Sequence, residues 1–124
     1  QTGTERTRKA GYDSVRTLFA KNKYCATAIV CFNDLLAIGA MSGLRSLGLE
    51  PGKDVAVTGY DDIAEAEISA PTLTTVWNGQ QEAGKLAARA MVRILAGEKD
   101  LEEVRLILPE LRIRESSNSK QFPK

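Results

Sequence analysis

The sequence contains no histidine and only two cysteines, and these shortages argue against several kinds of active site. Histidine is the commonest general base and zinc ligand, and it completes most serine and cysteine triads. The two cysteines, Cys25 and Cys31, lie on or just before one expected strand, which would hold them about 20 Å apart, beyond disulfide reach. We expect Cys31 in the core and Cys25 as a free thiol in a reducing, cytoplasmic compartment.

The sequence also lacks an excess of either charge and lacks long apolar runs. Its 17 basic and 16 acidic residues give a net charge of +1, too small to hold a polyanion through counterion release. No window approaches the roughly 18 apolar residues of a membrane span, so we expect no membrane contact. The N-terminal QTGTERTRK has no apolar signal-peptide core and predicts a truncated chain. The composition, 43% apolar and 27% charged, is typical of one globular domain.

The most informative stretch runs from Thr27 to Asp62 and predicts a strand, a helix and a second strand. Ala28 to Phe32 is a short apolar run, typical of a strand buried on both faces, and Val55 to Tyr60 is another. Leu35 to Leu47 between them has the composition of a helix, and Gly48 is placed as its left-handed stop. Such a unit requires a right-handed crossover, so we expect the two strands to be parallel.

Each predicted strand is followed by a polar pair. Asn33-Asp34 follows the first strand and Asp61-Asp62 follows the second. Parallel strands end at the same edge of a sheet, so we expect the two pairs to lie side by side. Open parallel sheets bind ligands beyond the carboxyl ends of their strands. The sequence therefore predicts a ligand site at this edge.

The remaining chain predicts three further segments around the central unit. A surface helix is expected from Thr4 to about Lys21, and a third strand from Leu73 to Trp77. Gln80 to Ala96 is an amphipathic helix whose expected inward face is Ala83, Ala87, Ala90, Met91 and Ile94. Two weak strands follow, Val104 to Leu108 and Leu111 to Arg114, separated by Pro109.

The helix from Leu35 has two apolar faces and therefore needs two partners. One face is Leu36, Ala37, Ala40, Met41, Leu44 and Leu47, and the other is Leu35, Ile38, Ser42 and Arg45. We expect the sheet to cover the first face and a second subunit to cover the other. Two or three parallel strands cannot bury all these faces, so we expect an incomplete part of a larger α/β protein.

Four motifs in order give the chain a family resemblance. They are AIVCFNDLLAIGAMSGLRSLGL, DVAVTGYDD, APTLTTV and LPELRIRESS. From about Thr4 to Ser117 the chain resembles the effector-binding domain of the LacI/GalR family of bacterial transcription repressors, whose fold is similar to periplasmic sugar-binding proteins. The resemblance implies a periplasmic-binding-protein-like type I fold, with a Rossmann-like parallel sheet and flanking helices, and no enzymatic activity, metal or cofactor.

The resemblance also implies a domain organisation. Two Rossmann-like subdomains would surround a cleft, with residues 1–72 and about 110–117 in the carboxy-terminal one. Residues 73–109 would supply the crossover and elements of the amino-terminal subdomain. The implied partners are a second copy and operator DNA, the latter only through a helix-turn-helix headpiece that is absent from this sequence. The expected dimer interface consists of Leu35, Ile38, Ser42, Arg45, Glu65 and Ile68.

Five residues become candidates for binding a small polar effector, most simply a sugar or sugar derivative. Asn33 matches the polar residue that faces the effector in the family, and Asp61 matches the carboxylate that binds effector hydroxyls. Arg6 and Gln80 fall where members often carry an aromatic pocket residue, and Trp77 precedes Gln80 at the crossover. Because Arg6 departs from the aromatic pattern, it also admits a phosphorylated or acidic effector bound by its guanidinium fork.

Each candidate also has a simpler interpretation. Asn33 suits a helix cap, Asp61-Asp62 suits a solvated turn, and Trp77 suits packing at the crossover. An acidic strand edge could instead hold Mg²⁺ for phosphoryl chemistry, with Glu65 and Glu67 as the nearby acids, but no glycine-rich phosphate loop accompanies them. A free-standing periplasmic sugar-binding protein is the other alternative, and the upstream sequence would distinguish it from a repressor.

Overall fold

The computed structural model describes residues 5–19, 26–98 and 105–117. Within them the chain forms four helices and four short strands. The helices are α1 (Arg8–Phe19), α2 (Asp34–Ser46), α3 (Ala64–Ile68) and α4 (Gln80–Leu95), and the strands are β1 (Ala28–Val30), β2 (Ala56–Thr58), β3 (Thr75–Trp77) and β4 (Glu110–Arg112). Cys25, Val104 and both ends expected for the first helix, Thr4 and Lys21, lie outside the described residues.

The predicted strand–helix–strand unit is confirmed. β1 and β2 are parallel, with Ile29 opposite Val57, and α2 connects them. The third strand continues this sheet only at its start, where Thr74 forms a parallel bridge with Thr58. Beyond that bridge β3 pairs antiparallel with β4, so the chain passes from one small sheet to another. The ends of β1 and β2 and the start of the crossover therefore meet at one edge.

α2 packs against α1 through glycines, a contact that periodicity did not predict. A Cβ atom built at Gly11 would lie 2.1 Å from the carbonyl oxygen of Leu36, and one at Gly39 would lie 1.9 Å from that of Arg8. Both contacts are with backbone atoms, which cannot rotate away as a side chain can. Glycine is therefore required where the two helices cross.

The buried core lies between α2, α1 and the sheet, so the sheet covers the first face of α2 only together with α1. Its members come from both helices, β2 and the segment around the third strand: Val15, Ala37, Ala40, Met41, Leu44, Val55, Val57, Ala66 and Leu73. The second face of α2 is only half covered. Leu35, Ile38 and Ser42 are half-buried and Arg45 is exposed, donating a hydrogen bond to the carbonyl of Ala70.

The expectation that β1 is buried on both faces is wrong for the described residues. Val30 is 84% exposed and Phe32 is 62% exposed. β1 pairs only with β2 within the part of the chain that the structure describes. The apolar run therefore identified a strand whose side chains favour burial on both faces. The elements that would bury them are not among the described residues.

The expectation that α4 buries an inward face is also wrong. None of its residues is buried, and Met91 and Ile94 are 56% and 52% exposed. Ala83, Ala87 and Ala90 instead line an open groove of about 440 Å³ that is closed on one side by residues 105 and 107. An amphipathic pattern shows which face is apolar, but burial requires a partner on that face.

The last described segment returns to the sheet and is held there by side-chain hydrogen bonds. Ser116 is fully buried, accepts a hydrogen bond from the Thr74 amide at 2.8 Å and donates one to the Val57 carbonyl at 2.6 Å. Glu115 accepts from the Thr72 amide at 2.8 Å, which lowers the pKa of its carboxyl. The PTLTTV and RESS motifs therefore pack together across a long sequence separation.

Candidate functional site

The polar pairs that follow β1 and β2 do meet at one edge of the sheet. The amide of Asp34 donates to the carbonyl of Tyr60 at 2.9 Å, which joins the two strand ends directly. Asn33 caps α2, because its Oδ1 accepts from the Leu36 amide at 2.9 Å. Capping and ligand contact are compatible, since the cap uses only Oδ1 and the Nδ2 group can still donate.

Asp34 lies beneath this edge rather than on it. Its side chain is fully buried and accepts from the Thr75 hydroxyl at 2.5 Å and from the Ile63 amide at 2.9 Å. Burial raises the pKa of the Asp34 carboxyl, the two hydrogen bonds oppose the rise, and the charges of Asp61 and Asp62 add to it. Asp34 is therefore a structural acid that fixes the turn after β2.

Asp61 occupies the most constrained position at the edge. Its φ is +112° and that of Asp62 is +51°, both in a region that residues other than glycine rarely adopt. Such strain costs of order 1–3 kcal/mol per residue and persists where the surrounding structure enforces it, often at ligand sites. The strained turn points to a role for Asp61 beyond that of a solvated loop.

Two amide side chains hold the Asp61 carboxylate in place. Asn78 Nδ2 donates to Asp61 Oδ1 at 3.0 Å, and Gln80 Nε2 donates to the same oxygen at 2.7 Å. A carboxylate has about four acceptor positions, so Oδ2 keeps its capacity to accept from ligand hydroxyls. The structure therefore brings Gln80 to Asp61, as the candidate site required, and adds Asn78, which was not among the candidate residues.

Asp62 turns inward and pairs with Arg114. Arg114 Nη2 lies 2.8 Å from Asp62 Oδ1, and the two side chains are only 15% and 12% exposed. The contact is an ion pair without hydrogen-bond alignment, so among the described residues the guanidinium charge is what stabilises this buried oxygen. Arg114 also donates to the Leu73 carbonyl at 2.9 Å. The arginine of the RESS segment was missed because no local pattern links it to Asp62.

Arg6 reaches the same edge from the other side. Its guanidinium carbon lies 4.0 Å from the centre of the Phe32 ring, within the range of a cation–π contact. Phe32 and Asn33 follow β1 and Asp61 follows β2, so Arg6 lies on the β1 side of this edge. Both Arg6 and Phe32 are exposed.

Trp77 does not join these residues. It is half-buried and lines a separate cleft of about 480 Å³ with Glu82, Leu86 and residues 105–108 and 110. This position agrees with packing at the crossover, the simpler of its two interpretations. The Trp77 side chain therefore lines a cleft that does not include Asp61, although the Asp61 amide donates to the carbonyl of the preceding residue, Val76, at 3.0 Å.

The magnesium alternative finds no support in the geometry. Glu65 pairs with Arg8 at 2.9 Å, and Glu67 lies 3.2 Å from Arg114. Residues 5–19, 26–98 and 105–117 contain no cluster of three or more side chains of the kinds that ligate metals. None of the helices in the same ranges combines the length and the apolar character needed to cross a membrane. Glu65, Glu67 and Asp62 are thus each paired with an arginine.

Comparison with known proteins agrees with the motifs. Residues 2–117 match the family described as the periplasmic binding protein-like domain. The HTH-type transcriptional repressor PurR of Vibrio vulnificus (strain CMCP6) is 38% identical over 90 residues, which are 73% of this chain and 27% of that protein. The chain spans about a third of the length of the curated relatives it matches.

Two solved structures are also similar. A LacI family transcriptional regulator from Enterococcus faecium with bound ribose superposes with a TM-score of 0.79 at 32% identity, over 93% of this chain and 42% of that one. The transcriptional regulator CelR in complex with cellobiose superposes with a TM-score of 0.76 at 34% identity, over 90% of this chain and 34% of that one. Because the family match covers nearly the whole chain and these relatives are regulators, the chain belongs to the periplasmic binding protein-like family, in its LacI/GalR effector-binding branch.

Proposed function

We propose that the chain is the effector-binding and dimerisation region of a LacI/GalR-type transcriptional regulator. Its effector is a small polar metabolite, a sugar or sugar derivative, and binding controls the affinity for operator DNA. The observation that carries the proposal is the Asp61 carboxylate, held by Asn78 and Gln80 on a strained turn at the sheet edge. A fixed acceptor at the ends of parallel strands is suited to vicinal hydroxyls.

The chemistry of similar proteins supports a sugar-like effector. The Enterococcus faecium regulator was solved with ribose and CelR with cellobiose. Both ligands carry many hydroxyl groups. A carboxylate accepts hydrogen bonds from hydroxyls, and an amide can both donate hydrogen bonds to them and accept hydrogen bonds from them. Asp61 and Asn33 supply those two groups here. Operator binding belongs to a headpiece outside this sequence, and a DNA-binding regulator of this kind acts in the cytoplasm.

We further propose that the chain supplies one wall of a two-subdomain cleft. Residues 1–72 and about 110–117 form the carboxy-terminal subdomain, and residues 73–109 cross towards the other one. The support is the change of sheet after Thr74 and the exposed apolar face of α4. Elements of the second subdomain would cover the apolar face of α4, because a contiguous apolar face is unfavourable in water.

The dimer interface proposed for this chain is the strip formed by α2 and α3. Ile68 is 81% exposed, while Leu35, Ile38 and Ser42 form a half-buried surface beside it. Glu65 and Arg45 lie at the rim, where Glu65 pairs with Arg8. An apolar strip with a charged rim is typical of subunit contacts, and a two-fold axis would place the same strip on both copies.

The replacement Ile68→Asp tests this interface in the intact protein. Ile68 is exposed in the monomer, so the change should leave folding intact, whereas Ile38 packs against the core. Burying an unpaired carboxylate in the contact should cost at least about 3 kcal/mol and raise the dimer dissociation constant roughly 100-fold. Analytical ultracentrifugation measures the change. Thr17→Asp, which adds a charge on the exposed side of α1, is the control, and an unchanged Ile68→Asp dimer would place the interface elsewhere.

The replacement Asp61→Asn tests the effector assignment. Asparagine tolerates positive φ, so the turn should persist while the charge is lost. We expect the effector response to fall by roughly 100-fold or more, with operator affinity in the absence of effector unchanged within about twofold. Fluorescence anisotropy of labelled operator DNA, titrated with ribose and cellobiose, measures both. Asp13→Asn on exposed α1 removes the same charge as a control, and a normal response from Asp61→Asn would exclude Asp61 from the site.

A further inference from the structure

The two ends of the edge formed by the carboxyl ends of β1 and β2 carry opposite charges. Asp34 is buried under hydrogen bonds from Thr75 and Ile63, and Asp62 is paired with Arg114, so Asp61 is the acid that remains available at the Gln80 end. At the other end the available charge is Arg6, which stacks on Phe32. A ligand that lies along the edge would therefore meet a cation at one end and a carboxylate at the other.

Arg6 has the geometry of a guanidinium prepared to bind an anion. Its guanidinium carbon lies 4.0 Å from the centre of the Phe32 ring, and a guanidinium stacked on a ring keeps its in-plane N–H donors for other partners. Within residues 5–19, 26–98 and 105–117, Arg6 forms no ion pair, whereas Arg8, two residues on, is paired with Glu65. A stacked arginine of this kind forms bidentate contacts with carboxylates and phosphates.

The strand order limits where an anionic group can sit. Arg6 stacks on Phe32, which follows β1, whereas Asp61 follows β2 and is held by Asn78 and Gln80, which follow β3, so the two charges lie on opposite sides of the edge. A negative group placed beside Asp61 would be repelled, whereas one at the Arg6 end would be paired. The hydroxyls and the anion must therefore occupy opposite ends of the ligand.

From this geometry, and resting on the proposed function, we propose that the effector is an anionic sugar derivative. Its hydroxyls bind Asp61 and Asn33, and its phosphate or carboxylate binds the guanidinium of Arg6, which makes Arg6 the residue that selects a charged sugar over its neutral parent. Two hydrogen bonds to a charged group account for a preference of about 100-fold.

Isothermal titration of the intact regulator against matched pairs tests the proposal. Ribose is compared with ribose 5-phosphate, and glucose with glucose 6-phosphate and with gluconate, so the last two ligands distinguish a phosphate from a carboxylate. We expect one anionic member to bind about 100-fold more tightly than its neutral parent. Arg6→Gln should remove that preference while leaving the affinity for the neutral sugar within about twofold.

Helix α1, which begins two residues after Arg6, offers a control. Arg16 lies 5.6 Å from the centre of the Tyr12 ring, so Arg16→Gln removes a second guanidinium that lies over an aromatic ring. This variant should keep the full preference for the anion. Arg6→Lys should retain part of the preference, because the charge remains while the fork and its stacking are lost.

Three results would overturn the inference, and they differ in what else they exclude. If a neutral sugar binds as tightly as its anionic partner, with loss of binding in Asp61→Asn, the proposed function stands and the role of Arg6 is rejected. If no sugar of the panel binds, both proposals are rejected. Equal weakening of neutral and anionic ligands by Arg6→Gln would also reject it, since that pattern indicates loss of packing on Phe32.

Discussion

Replacing Gly39 by alanine is expected to destabilise the protein severely, although the change adds a single methyl group. The new Cβ would lie 1.9 Å from the Arg8 carbonyl oxygen and 2.7 Å from its carbon, so α1 would have to move away from α2. Overpacking of this kind costs about 1–3 kcal/mol, and contact with rigid backbone places Gly39→Ala at the upper end. Urea unfolding of the intact protein, followed by circular dichroism, measures the loss.

The same substitution at Gly84 should have the opposite sign. Gly84 lies inside α4, and nothing stands within 4 Å of the Cβ position. Alanine there should stabilise the helix by roughly 0.5–1 kcal/mol, because it removes the backbone entropy that glycine loses on folding. If Gly39→Ala and Gly84→Ala shift the urea midpoint in the same direction, the close crossing of α1 and α2 is wrong.

Loss of the Arg114 guanidinium is the second change for which we expect a large effect. Arg114→Gln leaves Asp62 charged, 12% exposed and without its only counter-ion among the described residues. Breaking a buried pair in this way typically costs about 3–5 kcal/mol. The double variant Asp62→Asn/Arg114→Gln should recover part of the loss, since a neutral amide is less costly to bury than an unpaired carboxylate.

Arg112 provides the control for this prediction. It lies two residues earlier and pairs with Glu110 at 2.9 Å, but both side chains are about half exposed. Arg112→Gln should cost less than about 1 kcal/mol, because exposed pairs contribute little. The same urea titration compares the two variants. Equal losses at Arg112 and Arg114 would show that burial of Asp62 is not the cause.

The local structure could be predicted from the sequence because it depends on neighbouring residues. The apolar runs and the connecting helix gave the parallel pair β1 and β2, Asn33 caps α2, and Gly48 ends it with φ of +77°. Parallel pairing in turn placed the two polar pairs at one edge. Connectivity predicted the edge, whereas the choice of Asn33 and Asp61 within the two pairs came from the family resemblance.

The site itself could be predicted only in part, because its partners are distant in sequence. Asp34 and Asp62 carry the same carboxyl group as Asp61. However, Asp34 is buried and accepts a hydrogen bond from Thr75, and Asp62 is paired with Arg114. No periodicity identifies which of three aspartates remains available. That selection depends on loop closure, which brings β3 and the return segment against β2.

The sequence by itself determined the family, the order of the elements and the edge at which polar residues collect. Only the tertiary structure decided which apolar faces are covered: α2 packs on α1 through Gly39, whereas the α4 face and Phe32 remain exposed. Periodicity records that a face is apolar, but burial also requires a partner surface of complementary shape. The same limit applies to Asp61, whose turn is held by Asn78 and Gln80 across the crossover, contacts that no local pattern encodes.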